Sequence, residues 1–125
     1  MRKEERLTKR NQFAAVYRQG GSWANSLIVL RALPNGLDLN RYGFLISKRV
    51  GKAVVRNQVK RRLREAARLI PTQHGWDLVI IARSQASKAN YHQLKGALEE
   101  LLSQGRLLRS EPPLMAIAGI GSEEL

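Results

Sequence analysis

The stretch Tyr42–Arg68, YGFLISKRVGKAVVRNQVKRRLREAAR, decides the fold of this chain. It joins a predicted strand, a turn marked by Gly51 and a strongly basic helix in one continuous run. Together with Arg41 just before it, the stretch carries ten lysines and arginines but a single acid, Glu65, which leaves a local net charge of +9. The whole chain has a net charge of +12, so most of the excess positive charge is concentrated here. This concentration favours a polyanionic partner.

The basic segment has two chemically different faces when it is drawn as an α-helix at about 100° per residue. One arc is apolar and contains Val55, Val59, Leu63, Ala66 and Ile70. A separate arc is polar and basic and contains Arg56, Asn57, Lys60, Arg61, Arg64 and Arg68. Like charges stacked along one arc destabilise an isolated helix, which disfavours the alternative of an ordinary solvated surface. We expect the apolar arc to pack on a sheet and the basic arc to face nucleic acid.

Length and composition predict one compact domain. The chain has 125 residues, of which 43% are hydrophobic, enough for one core but not comfortably for two. We predict a single RNA-binding α+β domain over residues 1–105. From residue 106 onward the periodic pattern is lost, and residues 110–125, SEPPLMAIAGIGSEEL, contain two prolines and scattered glycines. We therefore predict a flexible C-terminal tail over residues 106–125.

Composition also narrows the compartment and the partner. The chain lacks cysteine, which excludes disulfides and thiolate metal sites and fits a reducing compartment. The first ten residues contain no apolar signal region, and no apolar run approaches the about 20 residues of a membrane-spanning helix. We expect a cytoplasmic protein. A strongly basic pI favours nucleic acid over an anionic membrane, because the basic helix sets Val and Ala, not bulky membrane-seeking side chains, opposite its cations.

Hydrophobic patterns and turn signals predict five further elements. They are a helix capped by Thr8 and ending near Gln19, strands over 27–33, 41–47 and 76–83, and a helix over 91–104 with a capping box formed by Asn90 and Gln93. We expect the strands over 27–33 and 41–47 to pair as an antiparallel hairpin. With the basic helix, this order predicts a two-layer α+β fold in which helices pack on a mostly antiparallel sheet.

The chain contains no recognisable catalytic constellation. A metal-dependent nuclease needs clustered carboxylates, but the acids are scattered or lie in adjacent pairs on predicted surfaces. His74 and His92 are expected to be ordinary surface residues, and Gly51-Lys52 is too short a match for a phosphate-binding loop. We predict neither catalytic residues nor a metal site in the polypeptide.

The chain resembles the protein component of bacterial ribonuclease P over residues 6–102. The resemblance rests on linked motifs: Phe13, Val16 and Tyr17 before Gly20, then Ser22, then ISKRVGKAVVRNQVKRRLRE at Ile46–Glu65 and VIIAR at Val79–Arg83. It implies a two-layer α/β sandwich with three helices on a small, mostly antiparallel sheet, ribosomal S5 domain 2-like. It also implies that the basic helix forms a left-handed βαβ crossover, against the usual hand.

The resemblance also implies partners and roles. The partners are the catalytic RNA of ribonuclease P and precursor tRNA, with no membrane and no small-molecule substrate, and the holoenzyme removes the 5′ leader by endonucleolytic cleavage. The RNA, which requires Mg²⁺, carries out the hydrolysis, so the polypeptide is a non-catalytic subunit that binds no cofactor. The implied RNA-binding residues are Lys48, Arg49, Lys52, Arg56, Asn57, Lys60, Arg61, Arg64 and Arg68. The implied leader-binding residues are Phe13, Tyr17, Ser22 and Ser47.

Two positions depart from the family pattern. An Arg-Asn-Arg motif reads Arg56-Asn57-Gln58 here, so one cation is missing at a position outside the basic arc. Tyr17 stands where relatives commonly have phenylalanine, and it keeps a ring on which an unpaired base can stack. Two other functions stay open: a ribosomal or RNA-chaperone type binding module and, with less support, an intrinsic nuclease.

Overall fold

The computed structural model describes residues 2–109 as three α-helices and four strands. The helices are α1 (Arg10–Gln19), α2 (Ala53–Leu69) and α3 (Tyr91–Gln104), and the strands are β1 (Gly21–Ala24), β2 (Ile28–Pro34), β3 (Arg41–Ile46) and β4 (Trp76–Ala82). Short 3₁₀ turns occupy Lys3–Glu5, Lys48–Val50 and Ser84–Lys88. In this part of the chain, every helix is too short or too polar to cross a membrane. The predicted α+β class is confirmed.

β4 lies inside the sheet, whose strand order is β1-β2-β4-β3. β1 pairs with β2, and β2 with β4, in antiparallel register, whereas β3 and β4 are parallel. The predicted hairpin between β2 and β3 is therefore wrong, because β4 lies between them. Residues 77–80 of β4 are all buried, and consecutive buried residues are typical of a strand inside a sheet that is covered on both faces.

α2 connects the parallel strands β3 and β4, which makes the predicted βαβ crossover unit. The predicted apolar arc of α2 lies in the main hydrophobic core, where four of its five residues are buried and Val55 is half-buried. α3 packs beside α2 and contributes Leu94, Leu98 and Leu101 to the same core. The left hand of the crossover rests on the family resemblance and stays a prediction.

α1 covers only part of the opposite face of the sheet. Val16 of α1 is fully buried and packs with Leu7 and with Val79 of β4, and Phe13 lies at the margin of this small cluster. The sheet therefore has one face covered by α2 and α3 and a second face that α1 leaves partly open. The open part of that second face positions the candidate site.

The two predicted helix starts had different outcomes. At α3 the capping box is confirmed: the Gln93 N–H donates to Asn90 Oδ1 at 2.8 Å, and the Asn90 N–H donates to Gln93 Oε1 at 2.9 Å. At α1 the predicted Thr8 cap is wrong, because the helix starts after Lys9. The side chain of Gln12 reaches back and accepts hydrogen bonds from the N–H groups of Thr8 and Lys9.

The C-terminal boundary of the domain also differs from the prediction. Leu107 is fully buried in the main core, and its N–H makes a 2.7 Å hydrogen bond to the end of α3. Leu108 forms an antiparallel bridge with Thr72. A tail that begins at residue 106 is therefore wrong for residues 106–109, because a buried apolar side chain and backbone hydrogen bonds hold them on the domain. The rest of the predicted tail, 110–125, lies outside the described residues.

Candidate RNA interface

The predicted basic arc of α2 lies on the side of the helix away from the core. Its side chains are exposed or half-exposed: Arg56, Asn57, Lys60, Arg61, Arg64 and Arg68. Residues 2–109 contain two salt bridges, and only the second involves a predicted RNA-binding residue: Arg41–Asp77 and Arg68–Glu65. The other predicted RNA-binding cations have no carboxylate partner within this part of the chain. Their mutual repulsion disfavours the folded state, and a bound polyanion would relieve it.

The 3₁₀ turn and the residues after it bring further exposed cations to the start of α2: Lys48, Arg49 and Lys52. Val50 is buried and anchors this turn, and Arg56 Nε donates to the Gly51 carbonyl at 3.1 Å. Gly51 has a φ of +153°, and a Cβ there would lie 3.0 Å from Cγ1 of Val55, so the turn requires glycine. The loop cations are thereby held beside the positive end of the α2 dipole.

Arg68 differs from the rest of the basic arc. Its Nη2 lies 2.6 Å from Oε2 of Glu65, and its Nε donates to the other carboxylate oxygen at 3.2 Å. The hydrogen bond to Arg68 lowers the pKa of Glu65, and the same bond raises the pKa of Arg68. Both side chains are about half exposed. Arg68 therefore has a competing internal anion, which the other predicted RNA-binding cations lack among residues 2–109.

Arg41, which precedes the basic stretch Tyr42–Arg68, forms an ion pair within the protein. Its Nε and Nη2 each donate to a carboxylate oxygen of Asp77 at 2.8 Å, and Asn35 Nδ2 donates to the same carboxylate at 2.9 Å. This hydrogen bonding raises the pKa of Arg41. Since Arg41 and Asp77 are paired residues of β3 and β4, their ion pair joins the two parallel strands. Arg41 thus belongs to the scaffold of the interface.

Two rows of residues cross the sheet on the side of α1, because side chains alternate along each strand. Strand register defines the first row as Ser22, Arg31, Val79 and Gly43. It defines the second row as Ala24, Val29, Ile81 and Leu45. α1 packs over the first row, whereas every residue of the second row is exposed or half-exposed. The second row is therefore an open, apolar floor beside α1, suited to unpaired bases.

Phe13 lies over the β3 end of the first row, beside the basic helix. It is half-buried against Gly43 of β3, and it lines a cavity of about 170 Å³ together with Phe44 and two cations of α2, Lys60 and Arg64. The structure thus brings a predicted leader-binding ring and two predicted RNA-binding cations to one cavity. Sequence reasoning had no signal for this contact, since it depends on which strand is placed next to α1.

Tyr17 lies one turn further along α1 and is 41% exposed. The guanidinium of Arg31, from β2, lies 4.8 Å from the centroid of its ring. Arg31 was not among the predicted site residues. A strand pattern alone places Arg31 on a face of β2 but does not say which helix covers that face, so this contact could not be predicted.

Ser22 and Ser47 lie at opposite edges of the sheet. Ser22 is exposed on β1, and Ser47 is exposed directly after β3. Three inter-strand steps separate these edges, about 14 Å at the usual strand spacing. Ser47 lines a groove of about 560 Å³ together with Ile81 and with Arg56 and Lys60 of the basic arc. The four predicted leader-binding residues therefore mark a strip across the sheet rather than one compact pocket.

Acidic and histidine side chains do not form a metal cluster within residues 2–109: no three of them are grouped so that they could hold an ion. The absence of catalytic residues and of a protein-bound metal stays a prediction.

Comparison with known proteins identifies the family. A family model described as Ribonuclease P matches residues 1–105. The chain belongs to this family. The ribonuclease P protein component of Dehalococcoides mccartyi (strain CBDB1) is 40% identical to it over 108 residues, which are 86% of this chain and 90% of the relative. That of Caldanaerobacter subterraneus subsp. tengcongensis is 44% identical over 101 residues, which are 79% of this chain and 87% of the relative.

Solved structures of ribonuclease P proteins share the fold. The Staphylococcus aureus protein superposes with a TM-score of 0.76 at 31% identity, over 84% of this chain and 98% of that one. The Thermotoga maritima protein superposes with a TM-score of 0.70 at 32% identity, over 80% of this chain and 96% of that one. The family predicted from the motifs is confirmed. Membership associates this chain with tRNA processing and with a ribonucleoprotein enzyme.

Proposed function

We propose that the chain is a subunit that binds the catalytic RNA of ribonuclease P and the 5′ leader of precursor tRNA, and so assists endonucleolytic removal of the leader. The RNA-binding surface is the loop and arc containing Lys48, Arg49, Lys52, Arg56, Asn57, Lys60, Arg61 and Arg64, with Arg68 at its end. The leader groove is the strip marked by Phe13, Tyr17, Ser22 and Ser47. The RNA and its Mg²⁺ carry out the hydrolysis, and the polypeptide supplies binding and orientation without a cofactor of its own. The compartment is the cytoplasm.

The observation that carries this proposal is the meeting of the two surfaces at one cavity. Phe13, at one end of the leader groove, lines that cavity together with Lys60 and Arg64 of α2. The open floor meets the same helix, because its residues Leu45 and Ile81 line a groove with Arg56 and Lys60. A leader strand that crosses the sheet is therefore led to the cations that bind the catalytic RNA. Such adjacency is what the delivery of a leader to an RNA active site requires.

The two surfaces contribute to RNA binding through different interactions. On the basic surface, each phosphate neutralised by a lysine or arginine releases counterions, which makes the slope of log K against log salt steeper by about 0.9 for a duplex and about 0.7 for a single strand. In the groove, each base stacked on an aromatic ring contributes about 1–3 kcal/mol with little dependence on sequence. The basic surface thus gives salt-dependent affinity for structured RNA, and the groove gives preference for an unpaired leader.

Reconstitution tests the proposal directly. Cleavage of precursor tRNA by the ribonuclease P RNA is measured at low Mg²⁺ with and without the protein, over a series of leader lengths. We expect no cleavage by protein alone, restored cleavage with RNA and protein together, and a benefit that grows as the leader lengthens across the groove. Failure of the protein to restore cleavage at any leader length contradicts the proposal. Restoration that is indifferent to the leader favours an RNA-chaperone type module.

Two double variants that remove the same charge distinguish the effect of the basic surface on RNA binding from the effect of total charge. Lys60→Ala with Arg64→Ala removes two cations at the shared cavity, whereas Lys95→Ala with Arg106→Asn removes a lysine and an arginine that do not line that cavity. We expect the first pair to weaken RNA binding and cleavage strongly and the second to have a small effect. Equal losses of RNA binding in the two double variants would mean that only total charge matters. They would contradict the proposal that α2 contacts the RNA.

A further inference from the structure

Arg31 is a cation on an interior strand of the sheet, and the proposed function assigns no role to it. It lies on β2, on the side of α1, in the row that runs from Ser22 through Arg31 and Val79 to Gly43. It is half-exposed, and no carboxylate pairs with it among residues 2–109. With no internal anion, the position of its guanidinium depends on the neutral groups that it contacts.

Those contacts are both with Tyr17. The guanidinium lies 4.8 Å from the centroid of the Tyr17 ring, and Arg31 Nη1 donates to the Tyr17 carbonyl at 3.2 Å. That carbonyl is among the last four of α1, which lack an intrahelical donor, and a cation at a helix C-terminus is favourable. Arg31 therefore caps α1 and covers one face of the ring in a single arrangement.

Much of the Tyr17 side chain is open to solvent. Tyr17 is 41% exposed, and its hydroxyl has no hydrogen-bond partner within residues 2–109. Because Arg31 covers one face, the ring offers only its other face to a stacking partner. The same row of the sheet ends at Gly43, on which Phe13 lies, so the two aromatic rings of the leader groove stand over one row.

We propose that Arg31 is a positioning residue for leader recognition: it closes one face of the Tyr17 ring and holds the ring so that a single unpaired base stacks on the other. This inference rests on the proposed function, since it requires the groove to bind a leader. The guanidinium is planar and stacks on an aromatic face, which a lysine ammonium cannot reproduce.

A double-mutant cycle in the binding of precursor tRNA to the reconstituted RNA–protein complex tests this inference. We expect Arg31→Gln to weaken binding of leader-bearing tRNA by about 2- to 5-fold, the size of a cation–π contact near the surface. Tyr17→Leu is expected to weaken it by about 5-fold or more, the size of a lost base stack. In the Tyr17→Leu background, Arg31→Gln should cause no further loss, because Arg31 acts through the ring. Additive losses overturn the positioning role.

Binding of mature tRNA, which has no leader, distinguishes a positioning role from a purely structural one. A purely structural role would weaken the binding of both substrates. If Arg31→Gln weakens leader-bearing and leaderless tRNA by the same factor, Arg31 is only a helix cap and the inference is overturned. Arg18→Gln, one position beyond Tyr17, removes the same charge from an exposed site and should affect both substrates equally. Should Arg31→Gln not fold, Arg31→Lys keeps the charge and the donor, and its expected loss is smaller but again specific to the leader.

The unchanged protein separates failure of this inference from failure of the proposed function. If it binds leader-bearing and leaderless tRNA equally well, the leader groove itself is wrong and Arg31 has nothing to position. If it prefers the leader-bearing substrate, and Arg31→Gln keeps that full preference, only the inference about Arg31 is overturned.

Discussion

Gly43 and Phe13 lie so close together that no side chain fits between them. A Cβ on Gly43 would be 2.5 Å from Cε1 and 2.7 Å from Cζ of the Phe13 ring. The glycine therefore allows a ring of α1 to lie directly on β3, next to the cations of α2. This contact connects the groove to the basic surface, and it can be tested with a single methyl group.

Gly43→Ala should displace the Phe13 ring and damage the groove. Overpacking of this kind typically costs about 1–3 kcal/mol, which urea unfolding would measure. Because Phe13 would no longer lie in its place at the β3 end of the first row, we expect binding of leader-bearing precursor tRNA to fall more than binding of mature tRNA. Unchanged discrimination between the two substrates would contradict the role assigned to the ring.

Gly96→Ala is the matched control for that experiment. A Cβ on Gly96, inside α3, would have no atom within 4 Å. Replacing a helical glycine by alanine in open space should stabilise the domain by about 0.5–1 kcal/mol. Substrate discrimination is expected to stay the same.

Lys60→Ala should reduce the salt dependence of RNA binding, since Lys60 is exposed and has no internal anion among the described residues. The expected change in the slope of log K against log salt is about 0.9 or less. Arg62→Ala removes the same charge from the same helix, but Arg62 donates to the Ala89 carbonyl at 3.1 Å. We expect it to lower stability by about 1 kcal/mol and to change the slope less. If Arg62→Ala changed the slope more than Lys60→Ala, the RNA would contact the side of α2 that carries Arg62 rather than the side that carries Lys60.

Glu65→Gln should release Arg68 from its internal ion pair. The freed cation can then contact a phosphate, so the salt slope of RNA binding should become steeper by up to about 0.9. Glu99→Gln removes an acid from α3, which is not part of the basic surface, and should leave the slope nearly unchanged. A slope that does not respond to Glu65→Gln would place Arg68 outside the interface.

Tyr42 should make stability depend on pH in the alkaline range. Burial raises the pKa of Tyr42, and this outweighs the opposing effect of its hydrogen bond with Asn40. A raised pKa in the folded state means that the stabilisation is fully present below the unfolded pKa of about 10 and is lost as pH rises through the folded value. Urea unfolding from pH 8 to 11.5 should therefore show a steeper loss for the wild type than for Tyr42→Phe. Parallel curves would contradict the burial of this hydroxyl.

Leu107→Ala tests the domain boundary. Leu107 is fully buried in the main core, so its truncation should cost about 2–5 kcal/mol of unfolding free energy. Leu69→Ala removes the same atoms from a side chain that is 49% exposed, and should stay within about 0.5 kcal/mol of the wild type. If Leu107→Ala were equally mild, residues 106–109 would not belong to the folded domain.

Features that depend on neighbours along the chain could be predicted without coordinates. The apolar and basic arcs of α2 follow from a period of about 3.6 residues, and the Asn90–Gln93 capping box follows from a spacing of three. The linked motifs from Phe13 to Arg83 were sufficient to recognise the family. The arcs and the capping box are local signals, because the residues of each lie within one helix or at its end, and each linked motif is likewise a short run of neighbouring residues.

The tertiary structure decided which elements meet. Three features join residues that are distant in sequence. They are the position of β4 between β2 and β3, the burial of Leu107 in the core and the ion pair between Arg41 and Asp77. The same holds for the Phe13–Gly43 contact and for the Arg31–Tyr17 pair, which together define the groove. An alternating strand pattern specifies two faces but neither the neighbouring strand nor the covering helix. Those choices depend on the summed burial of the whole core, which no local pattern contains.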